Sequence, residues 1–480
     1  MVFDFFRPLS EIEGYEYNVW SPQDAVDPYV AAVMRDFFPE EYEMASQYTR
    51  SGGTRSEVER IFHEVRLGGQ NRDVYLSRVE VNVLSECAKK VQRRLGNWKI
   101  QPLTVEQASE LLHPETSAGF GFTGKKKGEV MGEILKQAKD TMYKAMDHKP
   151  QVVKPCLLGT RGHVHHKLSP KRRVIYNAPA SVVLLEHTFL APMLEIIKAD
   201  PNHAIMLGSN VIPRLRDMSV GGFPMHSYAI ELDISGFDRG ILAAFEQVAF
   251  DILAEHIDFE HWNGRRLCPS KAERNRRVWE FVVEYFIHTP VMTPDGKCWW
   301  LDGSVASGSS FTQLVESVLS MLFAEYWAYQ TGKCILDLKV LGDDCKIVTS
   351  SFPDMEKLRR IYLETFGAVV NVEKTKVKKA WGPGMDFLGY HFERGFLVRK
   401  RDEWFKMALN TEYPVKSLEV SLSRMTAYMF LGGVNDVRFT DLYIAFKEAW
   451  PVENWEPVYQ RDMVAKIRYG GMSFPAKKLL

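Results

Sequence analysis

The chain has 480 residues, with 61 basic and 61 acidic side chains and a formal net charge of zero. That balance, without a basic tail, argues against a protein that simply coats nucleic acid, but suits an enzyme that gathers positive charge in an internal channel. Hydrophobic content of 45% and aromatic content of 12% supply a large core, and the length fits about two to four compact units.

The first residues, Met1-Val2-Phe3-Asp4-Phe5-Phe6-Arg7, carry no signal-peptide pattern. Six scattered cysteines without a CxxC pair predict no zinc site and a reducing environment. Ser56–Val65 and Gly128–Met146 read as helices. Between them, Thr116-Ser117-Ala118-Gly119-Phe120-Gly121-Phe122 is followed by Gly124-Lys125-Lys126-Lys127-Gly128. Flexible backbone can approach a strand of RNA, and lysines hold phosphates without reading sequence; taken alone, the run is an exposed charged surface. From Arg172 to Tyr176 the alternation predicts a strand with Lys171 and Arg173 on one face. Three histidines precede it, but one strand cannot close a tetrahedral metal site unaided. The apolar run Val182 to Ile197 is interrupted by Glu186, His187 and Glu195, which predicts a buried amphipathic helix rather than a membrane span.

Three blocks follow. In Ala229-Ile230-Glu231-Leu232-Asp233-Ile234-Ser235-Gly236-Phe237-Asp238-Arg239, an apolar strand runs into Asp233, breaks at Ser235-Gly236 and offers Asp238. A small-residue loop, Gly303 to Ser310, enters an apolar helix from Phe311 to Tyr329 at a Ser N-cap, closed by Gly332. Val340-Leu341-Gly342-Asp343-Asp344-Cys345-Lys346-Ile347-Val348 reads as a hairpin with an acidic tip. Gly-Asp is ordinary turn chemistry, yet two adjacent carboxylates repel, and a divalent cation would resolve the conflict. Thr293-Pro294-Asp295-Gly296 marks another hairpin. Leu418, Leu422, Met425 and Met429 fall on one helical face, which predicts core packing.

In that order the blocks resemble motifs A (Asp233 to Asp238), B (Ser307, Gly308, Thr312) and C (Gly342, Asp343, Asp344) of the RNA-dependent RNA polymerases of RNA viruses. The Ser-Gly-Ser-x-Phe-Thr-Gln stretch at 307–313, Thr116–Phe122 as motif G, and Ser417-Leu418-Glu419-Val420-Ser421-Leu422-Ser423-Arg424 are similar to polymerases of partitiviruses, whose genomes are segmented double-stranded RNA. The resemblance spans roughly residues 110–435. It implies an α+β right-hand fold: fingers with an N-terminal extension (1–225), a palm of antiparallel sheet flanked by helices (226–395, with a fingers insertion around 262–300) and a helical thumb (396–480). The first residues would bridge fingers to thumb.

The resemblance also implies roles. Asp233 and Asp343, with Asp344 beside the primer end, would hold two Mg²⁺ or Mn²⁺ ions for nucleotidyl transfer. Asp238, Ser307 and Thr312 would recognise the ribose 2′-OH. Glu316 stands where the wider family often has Asn, a departure that bears on this recognition. The stretch ending at Tyr176 is similar to motif F, in which Arg173, Lys171 and Lys167 would meet the triphosphate, Arg by bidentate contact and Lys as a point charge. Ser117, Gly119, Lys125, Lys126 and Gly308 would contact template RNA. Phe366 to Lys376 is similar to motif D, with Lys374, or its rival Lys376, as proton donor to pyrophosphate. Phe387-Leu388-Gly389-Tyr390 is similar to motif E, its aromatics serving packing.

The function implied is RNA-templated RNA synthesis from ribonucleoside triphosphates. The alternatives are a reverse transcriptase, against which Asp238 and Gly342 argue, and a non-enzymatic RNA-binding or capsid protein. The partners implied are RNA template and product, ribonucleotides and viral capsid protein, with no membrane, in the virion interior and host cytoplasm.

Overall fold

The computed structural model describes residues 5–19, 21–68, 73–170, 173–207, 222–262, 264–380, 386–393 and 396–452; Lys171 and Arg172 lie outside this set. The chain starts against the middle of the molecule. Phe6 stacks on Trp300 with ring centroids 5.5 Å apart, and the Arg7 N–H donates to the Gln151 carbonyl at 3.0 Å. The Tyr17 hydroxyl donates to the Met292 carbonyl (2.8 Å) and accepts from the Leu158 N–H (2.7 Å). The chain then crosses to the other end of the sequence. Ala25–Val26 pairs antiparallel with Asn410–Thr411, and two helices follow, α1 (Pro28–Phe37) and α2 (Pro39–Ser46). Each has proline in its first turn, where a missing N–H costs nothing.

Asp27 joins these pieces. Its carboxylate caps α1 by accepting from the N–H groups of Tyr29 (3.1 Å) and Val30 (3.2 Å). Fully buried, it also accepts from the Ser421 hydroxyl at 2.7 Å and pairs with the Arg424 guanidinium. The N-terminal segment thus runs from Trp300 and Gln151 to the helices of residues 401–449.

The expected helix over 56–65 runs as Arg55–Gly68. The one over 128–146 is split, a 3₁₀ turn at Lys127–Val130 leading into Met131–Met146. A four-stranded sheet orders Cys298–Asp302, His288–Met292, Cys156–Arg161 and Arg173–Asn177. The turn at 293–296 joins the first two, with the Thr293 N–H donating to Lys297 (2.9 Å). Along Arg173–Asn177, Arg173 is exposed and Tyr176 buried. The chain passes directly into α3 (Ala180–Ala199), the one helix among the described residues long and apolar enough to cross a membrane. Two thirds of its apolar window is buried inside the protein, which is the packing of a core helix.

The central sheet has four antiparallel strands: β1 (Tyr228–Leu232), β2 (Ile335–Leu341), β3 (Asp344–Thr349) and β4 (Lys376–Lys379), in the order β2-β3-β1-β4. Ile230, Leu232, Leu338, Val340, Cys345 and Ile347 point from one face into the main core. There α4 (Thr312–Thr331) packs, buried almost all round. Gly332 ends it in the left-handed region. The Ser N-cap expected at its start is replaced: Phe311 occupies the cap position without a side-chain bond, and Ser309 Oγ instead accepts from the Phe311 N–H at 3.1 Å.

A second core gathers α5 (Arg401–Leu409), α6 (Leu418–Phe430) and α7 (Val437–Ala449) with α1 and α2. Leu422, Met425 and Met429 are buried in it and Leu418 packs at its edge, as the helical stripe predicts. Phe387 and Tyr390, paired across the tight turn at Leu388-Gly389, enter the same core, so these aromatics do pack.

Asp27→Ala leaves Arg424 facing a buried site without its anion. It should destabilise the fold by about 3–5 kcal/mol and speed hydrogen exchange in α1 and α6 together. Wild-type exchange in both helices would show that Asp27 does not hold the strap.

Candidate active site

The acidic hairpin tip is built by two strands and held by a helix. Leu341 pairs with Asp344, leaving Gly342-Asp343 as a two-residue turn. Gly342 has φ +64° in the first turn position, the place a type II′ turn gives to glycine. Beneath it, α4 takes both of its backbone polar groups. Ser317 Oγ accepts from the Gly342 N–H (2.8 Å) and donates to the Gln313 carbonyl (2.6 Å). Ser320 Oγ donates to the Gly342 carbonyl at 2.8 Å. A Cβ on Gly342 would lie 3.1 Å from Glu316 Oε2, a tight contact added to the φ that favours glycine. The tip projects Asp343 and Asp344 into a space that surrounding protein partly encloses, so each side chain reaches solvent while being partly desolvated.

Asp233 arrives from the neighbouring strand. It stands just past β1, where its carbonyl accepts from the Asn371 N–H (2.8 Å) and its N–H donates to Thr375 Oγ1 (3.2 Å). Asn371 Oδ1 accepts from the N–H groups of Glu373 (3.1 Å) and Lys374 (3.2 Å), an Asx turn that presents Lys374. Lys374 Nζ stands 3.3 Å from Asp233 Oδ2. The rival Lys376 lies in β4 opposite Glu231. Past Gly236, a short helix (Phe237–Gly240) carries the exposed Asp238.

These acids feel one another. Desolvation raises the Asp343 carboxyl first, then the charges of Asp238 and Asp233; Arg173 opposes them. Asp344 is pushed up to about 6 by desolvation, then by Asp343 and Asp233, with Lys374 opposing. Glu316 is pushed up to about 8 by desolvation and the charges of Asp343 and Asp238. Five acids thus share one region with two cations, Arg173 and Lys374. Crowded carboxylate oxygens are the hard donors that Mg²⁺ or Mn²⁺ takes, so the donor set fits such an ion. Among the described residues no three side chains form a ready-made metal cluster. The Lys374 ammonium is the ion-pair partner of Asp233.

The loop before α4 lies alongside. The Val305 N–H donates to the Asp238 carbonyl (2.7 Å), and the Thr312 hydroxyl donates to the Ala306 carbonyl (2.9 Å). Ser307 Oγ accepts from the Tyr176 N–H at 3.4 Å. Gly308 is pressed against the strand that carries Arg173: a Cβ there would fall 1.6 Å from the Tyr176 carbonyl oxygen. On the other side of that strand's end, Ser117 Oγ accepts from Asn177 Nδ2 and from the Gly119 N–H, both at 3.2 Å. Of the expected site residues, the structure therefore joins Asp233, Asp238, Asp343, Asp344, Lys374, Arg173, Ser307, Gly308 and Thr312, with Ser117 and Gly119 adjoining. Lys125 is exposed, Lys126 pairs with Glu115, and Lys167 turns toward Asp24 at 3.7 Å. Lys171 lies outside the described residues.

The profile of the family described as viral RNA-dependent RNA polymerase matches residues 54–445. The chain belongs to that family. It is 24% identical over 342 residues to the RNA-directed RNA polymerase of Cryptosporidium parvum virus 1, covering 68% of this chain and 61% of that one. It is 23% identical over 308 residues to the RNA-directed RNA polymerase of White clover cryptic virus 1, covering 59% and 50%. The matches thus span between half and two thirds of these relatives' length. The crystal structure of the RNA-dependent RNA polymerase of a human picobirnavirus superposes with a TM-score of 0.70 at 13% identity, over 97% of this chain and 90% of that one. The fold is the right-hand polymerase fold, and divalent metal ions are general to the family.

The sequence reading missed Ser317 and Ser320 as the clamp on Gly342, and Asn371 and Thr375 as the cradle of Asp233 and Lys374. The signal for the first pair was present: two hydroxyls three residues apart in a largely apolar stretch of helix.

Ser317→Ala strands the buried Gly342 N–H, at a cost of about 1–3 kcal/mol; Ser317→Thr, which keeps the hydroxyl, should retain more of both stability and activity. A second expectation follows from the raised acids. Unfolded carboxyls titrate near about 4, so the stability contributed by Asp344 and Glu316 is complete below that pH and is lost as pH rises through about 6 and about 8. Metal-free protein should therefore lose Tm from pH 5 to 8. Asp344→Asn should lose less, and Mg²⁺ or Mn²⁺ should restore the wild-type Tm at pH 8. An identical pH slope in the variant would exclude this origin.

Proposed function

We propose that the chain copies RNA, joining ribonucleoside triphosphates on an RNA template in the replication and transcription of a viral, double-stranded RNA genome. The observation that carries this reading is the electrostatic coupling of Asp343 and Asp344, at the hairpin tip, to Asp233 at the end of the neighbouring strand, with Arg173 and Lys374 opposing. Asp233 and Asp343 would hold two Mg²⁺ or Mn²⁺ ions, with Asp344 beside them; bound there, such ions favour the attacking hydroxyl and stabilise the pyrophosphate leaving group.

The chain's own groups do the rest. Arg173, with Lys171 and Lys167, meets the triphosphate. Lys374 is the proton donor to pyrophosphate. Asp238, Ser307 and Thr312 read the 2′-OH, the group that separates RNA from DNA. Ser117, Gly119, Gly308, Lys125 and Lys126 guide template. Residues 1–225, 226–395 and 396–480 serve as fingers, palm and thumb, with α1 and α2 docked on the thumb. Contact with capsid protein, in the virion interior and host cytoplasm, belongs to the same reading.

The test is RNA synthesis by purified protein on a heteropolymeric RNA template with Mg²⁺ or Mn²⁺. Asp343→Ala should abolish product, and Asp238→Ala should narrow the preference for ribonucleotides over deoxyribonucleotides. Lys374→Ala should slow turnover by about 10²–10⁴-fold. Undiminished product from Asp343→Ala would overturn the metal assignment. Equal use of both sugars by the wild type would overturn the role of Asp238.

A further inference from the structure

Among the described residues, no arginine or lysine is bonded to the buried acid Glu186. It lies on α3, 1% exposed, and both of its oxygens are engaged by the loop ahead of α4. Oε1 accepts from the Ser309 hydroxyl and Oε2 from the Ser310 N–H, each at 2.7 Å. The adjoining His187 places Nδ1 3.2 Å from Ser310 Oγ and 3.0 Å from the Val183 carbonyl. Burial pushes the Glu186 carboxyl up to about 7 despite these bonds.

Burying an acid costs stability, and an apolar side chain would fill the space without that cost. What the carboxyl adds is geometry. Glu186 grips Ser309 and Ser310 immediately after Ser307 and Gly308, which rest on the Tyr176 backbone. The same strand end carries the other template-facing segment: the Ala180 N–H donates to the Ala118 carbonyl at 3.0 Å. Lys127, closing that segment, is half-buried, donates to Thr116 Oγ1 at 2.7 Å and senses the Glu186 charge. Glu186 therefore stands where the Ser117–Lys127 segment, the Arg173 strand and the Ser307–Ser310 loop are joined.

We propose that Glu186 is a positioning residue: through Ser309 and Ser310 it fixes the loop that presents Ser307 and Gly308, and so holds template and incoming nucleotide in register with Asp343. The inference rests on the polymerase reading for its consequence, but not for its geometry. A glutamate-to-glutamine change keeps an acceptor for the Ser310 N–H; a change to alanine keeps none.

The test compares Glu186→Ala, Glu186→Gln and Ser309→Ala with wild type by hydrogen exchange over 304–312 and by steady-state RNA synthesis. Expected is faster exchange in that loop for Glu186→Ala, with β1–β4 unchanged and Glu186→Gln close to wild type. In synthesis, Glu186→Ala should raise KM for nucleotide and template by about 10–100-fold, the scale that misplacement of a reacting group carries, with Glu186→Gln recovering most of it and Ser309→Ala intermediate. Loop exchange equal to wild type in Glu186→Ala overturns the proposal whatever the activity. Faster loop exchange with unchanged KM values, and kcat lowered only by the unfolded fraction, reduces Glu186 to a structural residue. Failure of the wild type itself to make RNA would strike the polymerase reading instead, leaving the exchange result to decide the anchoring.

Discussion

The grip of α4 on Gly342 is the constraint from which the rest of the site follows. A two-residue turn bearing adjacent carboxylates is electrostatically unfavourable, and desolvation worsens it. The hairpin keeps its shape because neither backbone group of Gly342 is left to water: Ser317 takes the N–H and Ser320 the carbonyl. Since α4 is buried nearly all round, the tip inherits the rigidity of the core. The same helix begins at the loop that reaches Asp238 and the Arg173 strand, so one element sets the position of the anionic tip, of the loop beside it and of the acid Glu316 between them.

Charge is arranged around that tip by opposition. Burial and the neighbouring acidic charges raise Asp343, Asp344 and Glu316, with Asp233 and Asp238 among the sources, while Arg173 and Lys374 relieve Asp343 and Asp344 respectively. Such a region holds together as protein but is poised to accept positive charge. This is the state expected of a site that receives cations and a polyanionic substrate together.

The order of strand, loop, helix and hairpin was readable because each block has its own periodicity and its own turn chemistry: β1 into Asp233, the glycine-serine loop, the apolar run of α4, the Gly-Asp tip. The stripe Leu418, Leu422, Met425, Met429 likewise announced a packed helix. What sequence could not give was the partner of each polar group. Nothing in Asp27 predicts that one carboxylate would cap α1 and also hold Ser421 and Arg424, because these meet only in the folded chain. In the sequence Glu186 only interrupts an apolar run, since its donors lie far along the chain at Ser309 and Ser310. The Ser N-cap failed because Ser309 bonds one residue short of the helix, leaving Phe311 at the cap.

The strap from Phe6 through α2 connects the four-stranded sheet to the C-terminal helices by a route that bypasses the central sheet. The main chain from β1 to β4 already connects them once. With two connections the molecule is a closed linkage, in the mechanical sense, rather than an open chain of hinged bodies. A hinge in an open chain can swing without disturbing anything else. In a closed linkage, displacement at one joint must be taken up at the others, so a shift of the C-terminal helices is passed through Asp27 and the strap to Trp300 and Gln151. Any change of shape in such a frame calls for small, shared adjustments spread around the ring instead of one wide opening.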